Sequence, residues 1–511
     1  MLVGFCILSE DKVPDHGRFF SNDVNVITKK IGRSIVYLYG YGPEYKAPIE
    51  EKAYSLYPNG LDHRNILVRI ASDHVEIKSD WLGSFPCYYD EVNREVASHW
   101  GMLNLRSHEC DPIGSYILKR YSFIPTSRTL KLGVRRMLCN QTLVWRSHEI
   151  ECSTSHSNLN HETSIQSSNV VRHIADRLRK DGLEKSEAIV PLSGGYDSRF
   201  LASIVKGKFG QTFKSFTYSL LGPQGDCFES KVSKIVAQKL GAPWCSFDLT
   251  GYARYEQTII DWAGGFSHVN GDYYEMFAEQ VMQGFVSSQG KGVLVVSGII
   301  GDLWCGKVSK SYKSNIQLSD ILYSHGISTY GWLINSEEDR VCREAEDELN
   351  SFFKERIYSS ETFLLELVRA KVALLSFLCY SFEKRGIRCS APFLDKTVVE
   401  AVLSLDPKQR LHRKWQKEYF KNLGLSDDQL PSVMLKINRL AINEGAKKKL
   451  KSCERLGMPT YKLIALKFLL SEPLREVERL LTRHKIPEYL LRKLGYKRSE
   501  ILISILNVVA K

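Results

Sequence analysis

The sequence predicts an α/β protein in two parts, an antiparallel strand-rich domain followed by a domain built on a parallel sheet. Three observations carry that reading. Short strand-like runs separated by Gly, Pro and Asn fill roughly the first 150 residues; a polar stretch follows; beyond it amphipathic helices alternate with short apolar strands.

The opening Met1-Leu2-Val3-Gly4-Phe5-Cys6 has no basic leader and no small-residue cleavage site, so it reads as a first β-strand rather than a signal peptide, and a cytoplasmic protein is expected. Further strands are expected at residues 34–39, 66–70, 74–78, 87–89 and 142–145. From Cys152 to Asn169 the chain is dense in Ser, His, Asn and Thr and lacks apolar periodicity. That stretch sets the expected boundaries: a first domain over 1–152, a linker over 153–169 and a second domain over 170–511.

The second domain begins with an amphipathic helix over 170–183, a buried strand over 188–192 and a helix restarting at Ser198. A strand over 212–218, a helix over 228–240 ended by Gly241, and another apolar strand over 293–297 continue the pattern. Helices dominate from about residue 360. Strand, loop, helix, strand is the grammar of a parallel sheet.

Composition narrows the classes. With 511 residues, 43% hydrophobic and 25% charged, the chain is of soluble globular type and has no apolar run long enough for a membrane span. Its 12 cysteines are scattered without a CxxC pair, so reduced core thiols are expected and no structural metal. The net charge of +12 favours anionic partners. Much of the excess lies in Lys447-Lys448-Lys449-Leu450-Lys451 and in the 475–498 stretch, read as a solvated basic helical face; no RNA-binding signature accompanies it, and nucleic acid is not an expected partner.

The chemistry concentrates in Ser193-Gly194-Gly195-Tyr196-Asp197-Ser198. A loop that leaves a buried strand and opens a helix aims backbone N–H groups and the helix dipole at whatever sits above it, which makes an anion site. Gly194 and Gly195 allow close backbone approach, and the Ser193 and Ser198 hydroxyls can donate to phosphate oxygens. Asp197 would be repelled by phosphate alone, so its presence implies Mg²⁺ shared with the phosphates. No GK[ST] follows, which separates the loop from a Walker motif.

This loop resembles the PP-loop of the ATP pyrophosphatases, which split ATP between its α and β phosphates. The stretch from Glu229 to Gly241 is similar to a helix of the asparagine synthetases, as are the second glycine loop Val296-Ser297-Gly298-Ile299-Ile300-Gly301-Asp302, the segment Pro392-Phe393-Leu394-Asp395 and the loop that begins at Leu430-Pro431. Ser79-Asp80-Trp81-Leu82-Gly83-Ser84-Phe85-Pro86-Cys87-Tyr88-Tyr89 and Arg128-Thr129-Leu130 resemble that family's glutaminase domain. The resemblance implies an N-terminal-nucleophile (Ntn) type αββα sandwich joined to an adenine-nucleotide α-hydrolase-like, PP-loop parallel-sheet domain.

The pattern also breaks. Leu2 follows Met1, so no N-terminal Cys nucleophile is expected; Cys6 reads as a core thiol and the first domain as a scaffold. The chain therefore resembles the glutaminase-dead branch that contains β-lactam synthetases and lasso-peptide cyclases. The implied activity is an AMP- and pyrophosphate-forming amide ligase that joins a carboxylate to an amine. Alternatives are an ammonia-fed amidotransferase on a sugar acid or amino acid and a nucleotide-binding pseudoenzyme. The resemblance implies ATP and Mg²⁺, with Asp197 and Asp302 as metal ligands; Ser193, Gly194, Gly195, Asp197, Ser198 and Gly298 at the phosphates; and Phe216 and Thr217 near adenine, Phe216 also reading as core. Lys436, Arg439 and Lys307 are the candidate cations for the leaving pyrophosphate. An acceptor pocket is expected near His268, Asn270, Asp272 and Tyr273. Ile299 stands where relatives carry an acid or a tyrosine, Arg388 where they carry a glutamate, and Ser390 where they carry an arginine. The oligomeric state stays open, a homodimer being one option.

Overall fold

A computed structural model describes residues 1–430 apart from 21–22, 43–52, 58–59, 122, 156–158, 160–164, 220–227, 249–251, 268–271, 286–291, 307–320, 322–339 and 429. The first part contains two antiparallel sheets and the second a parallel one. The first sheet runs in the order β2-β3-β1-β8-β7-β9, with β1 (Leu2–Ser9), β2 (Asn25–Ile31), β3 (Ser34–Gly40), β7 (Tyr88–Asp90), β8 (Glu95–Ala97) and β9 (Val134–Arg136). β1 lies in its middle, hydrogen-bonded to β3 and β8, and is buried from Leu2 to Leu8, so both of its faces are covered. A near-continuous apolar run is what such a position requires.

The second sheet has the order β11-β10-β6-β5-β4, formed by β4 (Ala53–Ser55), β5 (Ile66–Ile70), β6 (His74–Ser79), β10 (Gln141–Arg146) and β11 (Ile150–Thr154). Burial alternates along β5, β6 and β10, with Val75, Ile77, Leu143 and Trp145 inward and polar residues such as Glu76, Lys78 and Arg146 between them. That period of two keeps one face in the core and turns the other to water. β11 absorbs Cys152, Ser153 and Thr154, and a helix begins at Ser167, so the polar stretch read as a linker is shorter than 153–169 at both ends. The strand forms as the second arm of a hairpin on β10, and its largely exposed residues carry no apolar alternation that would reveal it.

The parallel sheet has the order β14-β13-β12-β15-β16, built from β12 (Glu187–Pro191), β13 (Phe213–Ser219), β14 (Trp244–Asp248), β15 (Val293–Val296) and β16 (Arg388–Ser390). The helices Tyr196–Phe209 and Phe228–Lys239 connect β12 to β13 and β13 to β14. The chain then returns to the other side of β12, where β15 pairs with it in parallel register from Glu187↔Val293 to Ile189↔Val295. The order reverses between β12 and β15, and the crevice outside the carboxyl ends of two such strands is where open α/β sheets bind ligands.

The two parts share buried polar contacts. Arg64 pairs with Glu383 at 2.6 Å, both almost fully buried, and Tyr57 donates to Glu383 at 2.9 Å. Burial draws Arg64 down, but Glu383 more than offsets it and the guanidinium stays raised. Trp81 stacks on Trp304 at 6.2 Å and donates to the Leu394 carbonyl at 2.9 Å. Asp80 holds the turn that aims Trp81, accepting from the N–H groups of Asn65, Leu82 and Ser84; burial raises its carboxyl. Among the described residues, no helix is long and apolar enough to cross a membrane.

Candidate nucleotide site

The loop after β12 occupies one side of the crevice. Ala188, Ile189 and Val190 fill the core, and Leu192 extends the pairing by donating to Phe216 O at 2.8 Å. Gly195 then caps the helix Tyr196–Phe209 in extended backbone and, as a glycine, supplies no side-chain cap to the first-turn amides. The loop is braced internally: Ser193 N–H donates to Ser198 Oγ at 3.0 Å, Gly195 N–H to Ser193 Oγ at 3.2 Å, and the two hydroxyls lie 2.9 Å apart. Ser198 is 7% exposed, so its hydroxyl is turned inward and fixes the shape of the loop, while Ser193 and Gly195 lie at the surface of the turn.

The loop after β15 forms the other wall, in direct contact with the first. A Cβ on Gly298 would come within 2.9 Å of Ser198 N and 3.0 Å of Asp197 C; one on Gly301 would come within 2.8 Å of Asp197 Cγ and of the Phe393 ring. Only glycine fits at either place. Between them Ile300 adopts φ +67°, a left-handed conformation rare for a β-branched residue, and it is buried. Such strain costs on the order of 1–3 kcal/mol and persists where surrounding packing enforces it. Here Leu303 N–H donates to Ile300 O at 3.0 Å, and the short helix Gly301–Trp304 carries Asp302 in its first turn. Both Asp197 and Asp302 act on one buried thiol, Cys305: burial raises it most, Asp197 next in the same direction, and Asp302 adds to the rise. Both carboxylates therefore lie within electrostatic reach of Cys305.

The segment Pro392-Phe393-Leu394-Asp395 closes the floor. Phe393 meets Gly301, and Trp304 Nε1 donates to Phe393 O at 3.1 Å. Asp395 caps the helix Lys396–Leu403 by accepting from Thr397 N and Val398 N, and it meets Arg177 at 3.3 Å. Its carboxylate is thus engaged in structure.

Sequence reasoning missed the roof. Arg413 reaches Asp197 at 3.5 Å and lies over the Tyr196 ring, and Gln416 Nε2 donates to Asp197 Oδ1 at 3.5 Å. Arg199, 2% exposed, donates to Gly194 O at 2.9 Å, Leu425 O at 2.9 Å and Asp427 Oδ1 at 3.0 Å, while the Tyr196 hydroxyl also donates to Asp427. His412 and Arg413 both have positive φ, at +55° and +58°. The cue in the sequence was the basic run Arg410-Leu411-His412-Arg413-Lys414, but nothing local ties it to a loop 216 residues earlier (413 − 197).

Several expected positions fall elsewhere. Phe216 is fully buried and packs on Phe247 and Phe277, both at 5.2 Å, so the expectation that it lines an adenine site is corrected: its ring is core and its carbonyl is taken by Leu192. Thr217 is buried in β13 opposite Ser246. Arg388 sits at the far end of β16 from the crevice, donating to Asp181 O and Ser186 Oγ, and Ser390 donates to Asp181, so both serve the packing beneath the sheet. Ile299 is half-buried against the core. Lys307, Lys436, Arg439, His268 and Asn270 lie outside the described residues, and Asp272 and Tyr273 open the helix Asp272–Phe285. Cys6 lies in mid-strand, 3.7 Å from the Tyr39 hydroxyl, and burial pushes its thiol up to about 12, which suits a core residue and not a nucleophile.

No family model matches this chain, and none of the curated proteins compared with it matches either.

Proposed function

We propose that the chain is an ATP-dependent carbon–nitrogen ligase that forms AMP and pyrophosphate, its first part a degenerate Ntn-type αββα sandwich and its second a PP-loop domain. One observation supports this above the others: Gly298 and Gly301 press against Asp197 at the point where the parallel sheet reverses its order, leaving a glycine-walled crevice over a helix N-terminus. In the proposed reaction a carboxylate oxygen attacks the α-phosphorus as its bond to the bridging oxygen breaks. Pyrophosphate leaves, and an amine nitrogen then displaces AMP from the acyl carbon and gives up a proton.

The residues suit those tasks. The first-turn amides of the helix Tyr196–Phe209 offer donors to phosphate oxygens, and the internal bracing of Ser193 and Ser198 holds them in place before any ligand arrives. Asp197 and Asp302 would hold Mg²⁺, which supplies charge neutralisation on the phosphate chain; two carboxylates leave its remaining coordination to phosphate oxygens and water. Arg413, next to Asp197, can stabilise negative charge developing on the leaving group, a task otherwise expected of Lys307, Lys436 or Arg439. The first part contributes rigidity, since Trp81 pins both Trp304 and Leu394.

The test is AMP and pyrophosphate formation by the full chain with ATP, Mg²⁺ and a panel of carboxylates, each with a primary amine or with ammonia. Product that requires both carboxylate and amine is expected, and Asp197→Asn should lower it at least about 100-fold. Turnover sustained by ammonia alone would favour the amidotransferase. Nucleotide binding unaffected by Asp197→Asn, with no AMP from any acceptor, would overturn the proposal.

A further inference from the structure

A second cleft lies between the two parts of the chain, away from the glycine crevice. It is open to solvent with a cavity volume of about 30 Å³, and its lining includes Leu82, Phe123, Arg136, Cys139, Arg356 and Arg369. The charge there is unbalanced. Arg356 and Arg369 share one carboxylate, that of Glu366, at 2.9 and 2.6 Å. Arg136 is 6% exposed and lies 4.1 Å above the Phe266 ring; among the described residues no carboxylate pairs with it. One of its terminal nitrogens is spread over the carbonyls of Ile124, Pro125 and Thr126 at 3.2 to 3.5 Å, and its Nε has no hydrogen-bond partner among the described residues. Burial pulls this guanidinium down to about 10, the mark of a cation without adequate compensation. Arg356 also donates to Cys139 Sγ at 3.1 Å, adding a polarisable thiol to the same wall.

A buried guanidinium with an unused donor is costly to keep unless something pairs with it. Its planar fork matches the geometry of carboxylate and phosphate oxygens. We infer that this cleft is a binding site for a compact oxyanion, a carboxylate or phosphate borne by a small molecule, with Arg136 as its principal partner and Arg356 and Arg369 at its sides. The inference stands independently of the ligase reading, because none of these residues touches the loops at Asp197.

The experiment is calorimetric titration of the full chain with inorganic phosphate and, separately, with succinate, at fixed ionic strength, repeated on Arg136→Met and Ser193→Ala. Saturable binding of either probe that weakens at least tenfold in Arg136→Met and persists in Ser193→Ala is expected, and the preferred probe tells phosphate from carboxylate. The melting temperature of the natural chain should rise with the bound probe, and that of Arg136→Met should not. A merely structural Arg136 would lower the melting temperature on substitution without any response to either anion. Should Arg136→Met fail to fold, Arg356→Gln, which leaves Arg136 in place, should weaken the same binding severalfold. Absence of binding to the natural chain, or binding undiminished in these variants, overturns the inference.

Discussion

Gly298→Ala is the sharpest probe of the crevice. The added Cβ would lie 2.9 Å from Ser198 N and 3.0 Å from Asp197 C, both backbone atoms in the first turn of a helix, where no flexible side chain can yield. Restoring ordinary contact at about 3.4 Å demands that one loop retreat by about 0.5 Å, and overpacking of that kind costs about 1–3 kcal/mol. A misplacement of about 1 Å near reacting groups costs about 100-fold in rate, so half that distance should cost about tenfold. The assay is urea unfolding together with pyrophosphate release. Gly207→Ala supplies the control: it lies exposed in the same helix with nothing within 4 Å of the added Cβ, and it should stabilise by about 0.5–1 kcal/mol while leaving turnover unchanged. If Gly298→Ala unfolded and turned over like the natural chain, the two loops would not be in contact and the account of the crevice would fail.

Other outcomes follow from the buried polar groups. Arg64→Met leaves Glu383 buried without its cation and should cost about 3–5 kcal/mol in chemical denaturation; a loss under about 1 kcal/mol would show that the pair does not join the two parts. At pH 8, exposed Cys110 should alkylate readily while Cys6, its thiol pushed up to about 12 by burial, stays unlabelled in peptide mapping of the native chain. His99, held down to about 3 by burial between Ser98 and Tyr380, and His63, held down to about 4 by burial and then by Arg177, are neutral when folded. The unfolded chain, with histidine near 6.5, binds more protons from about pH 6.5 down through those values, so stability should fall on acidification by up to about 1.4 kcal/mol per pH unit for each. His99→Gln should flatten that slope in urea titrations between pH 4 and 7, and an unchanged slope would show that His99 does not titrate as described.

Much of the local structure was legible because it depends on short-range pattern. β1, β3, β5, β6, β10 and β12 lie where alternation or an apolar run puts them, and the helix opening at Tyr196 follows from glycine, small hydroxyls and a first-turn Asp. β11, β14 and β16 were not expected: β11 is an exposed polar hairpin arm on β10 with no apolar alternation, while β14 and β16 are short and owe their existence to the distant partners β13 and β15. Phe216 shows a related limit: sequence places it on a strand near the crevice, but which face of the strand meets solvent is settled by the aromatic residues packed on it.

The sequence by itself determined the general α/β class, with antiparallel strands first and a parallel sheet later, and the glycine loop with its acidic residue, since each rests on residue type and local spacing. Tertiary structure decided which distant residues meet: that Gly298 and Gly301 touch Asp197, that Arg413 covers it, that Arg388 serves packing instead, and that Arg136 is buried with no counter-ion among the described residues. The reason is physical. Strand order and register bring residues two hundred positions apart within a van der Waals radius of one another, and the energies that select that register are summed over the whole core.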